Sequence, residues 1–221
     1  MNAVDMRVLL VGATGEIGGL ATRQLAGHGA ATALAGRDRE RLRARASALG
    51  GRPWRAFDAY DLDGCGQLAP WAKEALGGLD ALVVAVGVAA FGAATQVSDA
   101  SAEHLFTVNA LGPMAVVRGA LPVVSRGGVV VVVTGEIVDR PPLGMADYAA
   151  AKAALAMWLR VTGREARRDG ITVVDARMPH LDTGFATRAA VGSPPALGPG
   201  ADPEEAVRHQ VVMPLLRALE G

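Results

Sequence analysis

Cysteine and lysine are scarce in this chain of 221 residues. The single cysteine, Cys65, cannot form an internal disulfide, which fits a protein of the reducing cytoplasm. Because it stands between two glycines with no histidine near it in sequence, we interpret Cys65 as a small filler residue and not as a nucleophile. Lys73 and Lys152 are the only lysines, and the other basic residues of the Lys+Arg total of 22 are arginines.

A long apolar run and a charge of one sign are also missing. The longest apolar run, residues 127–134, has strand length, whereas a membrane-spanning helix needs about 18 residues. The first apolar run is short and follows Asp5, so we predict no secretory signal. Asp+Glu also total 22, the formal net charge is +0 and no basic stripe stands out. We therefore expect a small-molecule substrate, with neither nucleic acid nor a membrane as partner.

The hydrophobic pattern predicts an α/β fold. Hydrophobic residues make up 51% of the chain and charged residues 20%, which excludes a disordered protein, and the length suits a single domain over residues 1–221. Short apolar runs without alternation are typical of parallel strands covered on both faces. They lie at residues 7–11, 31–35, 53–57, 79–86, 129–133 and 171–176. Helical segments lie between them at 17–26, 39–49, 68–76, 102–121 and 148–168. This order predicts a doubly wound parallel sheet of about six strands, a Rossmann fold.

One segment lacks any periodic pattern. Residues 184–202 contain three prolines and several glycines, and a long loop of this kind in a compact α/β domain is usually a lid or disordered. We predict a flexible lid over the substrate site. Asp202 and Pro203 then have the residue types of a helix N-cap and first position, which predicts a final helix over 203–219.

A glycine-rich turn follows the first predicted strand. Gly12 permits a tight turn, Gly15 lets the backbone approach a pyrophosphate, and Gly18 lets the next helix pack on the strand. An ordinary β–α turn is the alternative, but a turn that follows a strand and opens a helix is the context that a dinucleotide site requires. The predicted binding loop comprises Gly12, Thr14, Gly15, Glu16, Ile17 and Gly18.

The end of the second strand bears on the choice of cofactor. An acidic residue there would bind the ribose 2′-hydroxyl of NAD, whereas an arginine pairs with the 2′-phosphate of NADP. The strand ends at Gly36 and is followed by Arg37, while Asp38 is better interpreted as the N-cap of the next helix. We therefore expect NADP(H) rather than NAD(H), the alternative being that Arg37 is an ordinary surface charge.

Tyr148 and Lys152 form a Y-x-x-x-K pattern at the start of a long predicted helix. The spacing i, i+4 places both side chains on one helix face. A neighbouring ammonium favours the phenolate, so we expect Lys152 to lower the pKa of Tyr148 from its usual value near ~10. Such a tyrosine exchanges a proton with a carbonyl or alcohol oxygen near neutral pH.

With these motifs in this order, residues from about 6 to 183 resemble the short-chain dehydrogenase/reductase family. The resemblance implies that Asn109 holds a water in a proton relay to Lys152, which also grips the cofactor ribose. It implies that Asp58 contacts the adenine and that Gly87 follows the fourth strand beside the cofactor. It further implies that the turn containing Pro179 and Thr183 cradles the nicotinamide.

Two departures from the family pattern concern the site. Glu16 stands where the standard family members have the second glycine of the loop, so the spacing is similar to that of the extended and atypical branches. The family's catalytic serine falls thirteen residues before the tyrosine, at Gly135, and is missing. Thr134 is the candidate substitute, although side-chain alternation along the strand points it to the other side unless a bulge intervenes.

Three functions remain open on this sequence. The first is an NADP(H)-dependent oxidoreductase that reduces a ketone or aldehyde, or oxidises the alcohol, with Tyr148, Lys152, Asn109 and Thr134 as catalytic residues. The second is a dinucleotide-binding sensor without turnover, favoured by the missing serine. The third is a non-redox enzyme, a dehydratase or isomerase, on the same scaffold. No metal site is expected.

The resemblance also implies a homodimer. Family members pair through the two long helices that follow the fourth and fifth strands, here 102–121 and 148–168. Both helices are apolar on more than one face, which calls for a second covering surface. The apolar residues that suggest this are Leu105, Val116, Val117, Leu155, Met157, Trp158 and Leu159.

Overall fold

Six parallel strands form one sheet in the order β3-β2-β1-β4-β5-β6, seen in a computed structural model that describes residues 6–196 and 198–220. All five neighbouring pairs run parallel. The strands are β1 (Arg7–Val11), β2 (Ala31–Gly36), β3 (Trp54–Ala56), β4 (Ala81–Val84), β5 (Val129–Val133) and β6 (Thr172–Ala176). The predicted Rossmann fold is confirmed.

Helices cover the sheet on both faces. One face packs against α1 (Glu16–Gly27), α2 (Arg39–Ala48), α8 (Pro203–Val207) and α9 (Met213–Glu220). The other packs against α3 (Leu62–Gly66), α4 (Leu68–Leu76), α6 (Gly112–Ala120) and α7 (Ala146–Ala166), while α5 (Asp99–Phe106) lies at the carboxyl edge. Because the strands are parallel, the loops that follow them meet at this edge, where ligands bind in such folds.

The all-valine strand β5 shows why the apolar runs do not alternate. Val129, Val131 and Val133 belong to the core under α1 and α9, and Val130 and Val132 to the core under α6 and α7. Both faces of the strand are dry, so every position is apolar.

Two predicted long helices are interrupted. The predicted helix 102–121 consists of α5, a π-helical turn at Thr107–Leu111 and α6. Pro113 cannot donate a backbone hydrogen bond, so the regular ladder widens ahead of it. The predicted helix 203–219 contains a similar turn at Arg208–Val212, ahead of Pro214, and its N-cap Asp202 accepts from the Glu205 backbone at 2.8 Å, as expected.

The predicted lid, 184–202, lies across the segment that follows β4. The Ala190 N–H donates to the Ala89 carbonyl at 2.7 Å, and the Phe91 N–H donates to the Val191 carbonyl at 2.8 Å. Among its described residues, Ala186–Arg188 forms a short 3-10 turn, and Ala201 pairs with Leu181 in an isolated β-bridge. The position suits a cover for the site, and flexibility of the segment stays a prediction.

Membrane-spanning helices and clusters of metal ligands are both absent from the part of the chain that the structure describes. None of the helices in residues 6–196 and 198–220 combines the length and apolarity needed to cross a membrane. Over the same residues, no group of three or more histidine, cysteine, aspartate or glutamate side chains is placed to hold a metal ion.

Candidate active site

The turn after β1 has no room for side chains at two of its glycines. Gly12 has φ +89°, and a Cβ built there would lie 2.4 Å from the Ala85 carbonyl oxygen at the end of β4. A Cβ on Gly18 would lie 2.2 Å from the Gly12 oxygen. Both contacts are with backbone, so the turn closes only around glycine, as the sequence indicates.

The turn presents the N-terminus of α1 without a side-chain cap. Gly15 is the N-cap in extended conformation, and its own N–H donates to the Gly12 carbonyl at 3.0 Å. The N–H groups of the first turn, from Glu16 to Gly18, are therefore open to an anion and carry the positive end of the helix dipole. These residues fit the pyrophosphate of a dinucleotide. Thr14 packs at the end of β2, since a Cβ on Gly36 would lie 3.0 Å from its hydroxyl oxygen.

Three arginines surround this loop, of which sequence analysis identified one. Arg37 is exposed directly after β2. From α2, Arg41 donates to the Thr14 carbonyl at 2.8 Å, and Arg45 donates to the Ala13 carbonyl at 2.7 Å. Partial burial lowers the pKa of Arg45, and the positive charges of Arg23 and Arg41 lower it further. The four-residue spacing of the two α2 arginines was the available signal, and their positions favour a ligand with an additional phosphate.

Asp58 follows β3 at the same edge. Its carboxylate is exposed and accepts from the Tyr60 backbone at 3.0 Å, while its carbonyl oxygen receives the Cys65 thiol at 3.4 Å. Burial, together with the negative charges of Asp61 and Asp58, raises the pKa of Cys65 to about 11. A buried thiol with a raised pKa is unreactive, in keeping with its interpretation as a filler.

Tyr148 lies in the first turn of α7 and is buried in an apolar cluster at the edge of the sheet. Its ring contacts the Phe185 ring of the predicted lid, with centroids 6.2 Å apart. Burial raises the pKa of Tyr148. The expectation that Lys152 lowers the Tyr148 pKa is therefore wrong for this arrangement, in which burial is the cause of the shift. The phenol is neutral here and can donate a proton.

Lys152 is one helical turn further along α7 and only 2% exposed. Its ammonium donates to the Val133 carbonyl at 3.1 Å and, more weakly, to the Val86 carbonyl at 3.4 Å. Burial lowers the pKa of Lys152 to about 8, and the charge of Asp175 opposes that shift. The carbonyls at the ends of β4 and β5 thus hold a lysine that changes charge slightly above neutral pH.

Asn109 sits within the π-helical turn and is completely buried. Its amide oxygen accepts from the Val88 N–H and its amide nitrogen donates to the Val88 carbonyl, both at 3.0 Å. A Cβ on Gly87 would lie 3.0 Å from the Asn109 oxygen and 3.3 Å from the Lys152 ammonium. The fold therefore brings Asn109, Lys152 and Gly87 together, and a side chain at position 87 would press on both polar groups.

Thr134 does not turn toward the tyrosine. Its buried hydroxyl donates to the Asp175 carboxylate of β6, whose second oxygen binds Arg177 at 2.7 Å. Gly135 follows with φ +155°, a conformation that a serine would rarely adopt. At the position of the missing serine, the backbone thus adopts a conformation that favours glycine.

The turn after β6 lies beside this position. The Met178 carbonyl accepts from the Glu136 N–H at 2.9 Å, which joins the loops after β5 and β6. Pro179 follows directly, and the Thr183 hydroxyl accepts from the Phe185 N–H at 3.3 Å. These two residues therefore lie between the loop after β5 and the predicted lid.

Most of the apolar residues expected at a dimer interface lie inside the chain. Leu105, Val116, Val117, Leu155 and Leu159 are at most 2% exposed, because the sheet and the neighbouring helices cover them. Outward-facing apolar residues do exist on the same helical layer, namely Leu111, Met157 and Val161, which are 46%, 53% and 42% exposed.

Comparison with known proteins identifies the family. The sequence profile of the short chain dehydrogenase family matches residues 6–191. That span includes the phosphate loop, the Tyr148–Lys152 pair and all six strands of the sheet. The chain belongs to the short chain dehydrogenase family, which confirms the resemblance found in the sequence.

Individual relatives share the fold over nearly the whole chain. An alcohol dehydrogenase of the archaeon Thermococcus sibiricus, solved with 5-hydroxy-NADP, superposes with a TM-score of 0.84 at 25% identity, covering 96% of this chain and 91% of that one. A dehydrogenase/reductase of Sinorhizobium meliloti 1021 gives 0.82 at 26% identity, over 99% and 90%. Other structural neighbours were solved with NADP or NADPH, in line with the cofactor predicted from Arg37.

One sequence relative is named as a nucleotide-binding mediator protein and not as a dehydrogenase. The cyclic-di-GMP-binding biofilm dispersal mediator protein of Escherichia coli strain K12 is 33% identical over 108 residues. The matched segment is 48% of this chain and spans about half, 46%, of that relative.

Proposed function

We propose that the protein is an NADP(H)-dependent oxidoreductase that reduces a ketone or aldehyde, or oxidises the corresponding alcohol. The observation that carries the proposal is the placement of Tyr148 and Lys152 on one face of α7, at the sheet edge where the phosphate loop also lies. NADPH, when bound, supplies the hydride. The uncapped first turn of α1 binds the pyrophosphate, and Arg37 with Arg41 binds the 2′-phosphate.

Tyr148 acts as the proton donor to the carbonyl oxygen. Its burial favours the neutral phenol, which holds a proton until a substrate oxygen arrives within hydrogen-bond distance. Lys152, fixed by two backbone carbonyls, stabilises negative charge on the phenol oxygen as the proton leaves and binds the ribose. Asn109 keeps the chain at Val88 in place, which shapes the wall of the lysine site.

The surroundings of Tyr148 favour an apolar substrate. Its cluster joins Ala89, Ala90 and Phe91 with Leu105 and Met145. The predicted lid contributes Phe185 and neighbouring alanines to the same cluster. A small organic carbonyl compound without charge near the reacting carbon fits these surroundings.

Tyr148→Phe tests the assignment. The variant should bind NADPH as the wild type does, because the phosphate loop is untouched, and should lose turnover of a carbonyl substrate found in a screen. NADPH binding is followed by fluorescence titration and turnover by loss of the NADPH absorbance. If turnover survives nearly intact, Tyr148 is not the proton donor.

A second candidate is a dinucleotide-binding sensor without turnover. The glycine at position 135 and the commitment of the Thr134 hydroxyl to Asp175 favour it, because neither residue presents a donor to a substrate oxygen. The name of the Escherichia coli relative is compatible with it. Tight NADPH binding with no oxidation by any carbonyl compound would support the sensor, whereas product formed without NADPH oxidation would support a non-redox enzyme.

A further inference from the structure

The carboxylate of Asp175, in β6, is connected to the lysine site through a hydrogen bond from Thr134. One oxygen accepts from Thr134 and the other from Arg177 at 2.7 Å, so its orientation is fixed from two sides. Thr134 directly follows Val133, whose carbonyl accepts from the Lys152 ammonium. The carboxylate and the ammonium are therefore tied to consecutive residues at the end of β5.

Lys152 needs a counter-charge. A buried ammonium that contacts two neutral carbonyls loses most of its hydration, which favours the uncharged amine. Tyr148, one turn earlier on the same helix, is uncharged, and so is Asn109 of the π-helical turn, which lies beside Lys152 at Gly87. From β6, Asp175 is the carboxylate whose charge acts on it among the described residues.

Arginine side chains lie near the Asp175 carboxylate, and their positive charge weakens its effect on the Lys152 pKa. Arg177 binds Asp175 and also the Asp139 carboxylate at 2.7 Å. Arg160 and Arg164 of α7, and Arg167 directly after it, line the same groove as Asp175 but are exposed, so water and salt screen them. Asp175 is thus the charged group that acts on Lys152, and Arg177, bound to the same carboxylate, carries the opposite charge.

We propose that Asp175 is a positioning residue of the site, a carboxylate held by Thr134 and Arg177 that keeps the buried Lys152 ammonium protonated. This gives the Thr134 hydroxyl a role other than replacing the missing serine. The inference rests on the proposed function in treating Lys152 as part of the active site, but the electrostatic relation itself is measurable without turnover.

The scarcity of lysine makes the measurement direct. Lysine labelled with carbon-13 at Cε gives two side-chain signals, from Lys73 and Lys152, and Lys73→Arg assigns them. Titrating the intact protein by NMR then yields the Lys152 pKa. We expect a value near 8 in the wild type, a lower value in Asp175→Asn and a higher value in Arg177→Met.

Three controls separate charge from packing. Asp139→Asn removes an exposed carboxylate on Arg177 and should move the Lys152 titration little. Thr134→Val removes the hydrogen bond but keeps the charge, so its shift should be smaller than that of Asp175→Asn. Circular dichroism verifies that each variant is folded. Because general loosening moves a buried lysine in one direction only, opposite shifts in the Asp175 and Arg177 variants support the proposal.

The Asp175→Asn variant also tests whether the charge of Lys152 affects NADPH binding. In Asp175→Asn, NADPH affinity should begin to fall at a lower pH than in the wild type, because Lys152 loses its charge earlier. Equal Lys152 titrations in wild type and Asp175→Asn would overturn the proposal, as would equal shifts in Asp175→Asn and Thr134→Val. Absence of carbonyl reduction with the predicted titrations would contradict only the proposed function.

Discussion

Gly12→Ala introduces a single methyl group where the phosphate loop is tightest. The φ of +89° is a left-handed conformation that costs an L-residue about 1–2 kcal/mol. The new Cβ would also lie 2.4 Å from the Ala85 oxygen. Real Cβ contacts stay beyond about 3.0 Å, so the turn must open by at least 0.6 Å (3.0 − 2.4). The N–H groups at the start of α1 move with it.

We expect the displaced loop to lose about 10- to 100-fold in NADPH affinity, the equivalent of one lost hydrogen bond to the charged pyrophosphate at about 1.5–3 kcal/mol. The backbone cost should lower Tm by roughly 2–8 °C in a chain of this size. Fluorescence titration measures the affinity and calorimetry the Tm. Gly27→Ala, at the end of the same helix with nothing within 4 Å of its Cβ, is the matched control and should bind NADPH normally. NADPH binding by Gly12→Ala at wild-type strength would refute the loop assignment.

Three further predictions concern the cofactor, the serine position and assembly. Arg37→Asp should weaken NADPH far more than NADH in titrations, and an equal loss for both would refute the 2′-phosphate role. Gly135→Ser should lower Tm without raising turnover, because φ +155° is unfavourable for serine, whereas a gain in activity would show that the turn relaxes. Light scattering should give twice the 22.6 kDa of one chain, and Met157→Glu should shift it to one chain; a wild-type mass of one or four chains would contradict the dimer.

The strands were predictable because each is a short run buried on both faces. Val129–Val133 has the same bounds in sequence and structure, since a short run of β-branched residues without alternation is typical of a parallel strand covered on both faces. The run at 79–86 was predicted too long, because pairing ends at Val84 and the chain turns toward Gly87. Periodicity also missed the π-helical turn at Thr107–Leu111, since the residues on both sides of it remain apolar and helical.

The site was predictable where a motif fixes backbone shape and less so where charges act across the sheet. Gly12 and Lys152 lie where their motifs place them. The direction of the Tyr148 pKa was wrong, because burial by Phe185 and its neighbours cannot be read from a four-residue spacing. Asp175 was missed, although a carboxylate within the strand sequence TVVDA was a signal that its neighbours stabilise it.

Transfer of deuterium tests the central claim most directly. NADPH with both hydrogens at nicotinamide C4 replaced by deuterium is incubated with the protein and a carbonyl compound that it converts, and the alcohol is analysed by mass spectrometry and NMR. The account predicts one deuterium on the carbinol carbon for each NADPH oxidised, with no transfer by Tyr148→Phe. A product without deuterium, or bound NADPH that no carbonyl compound oxidises, would contradict it.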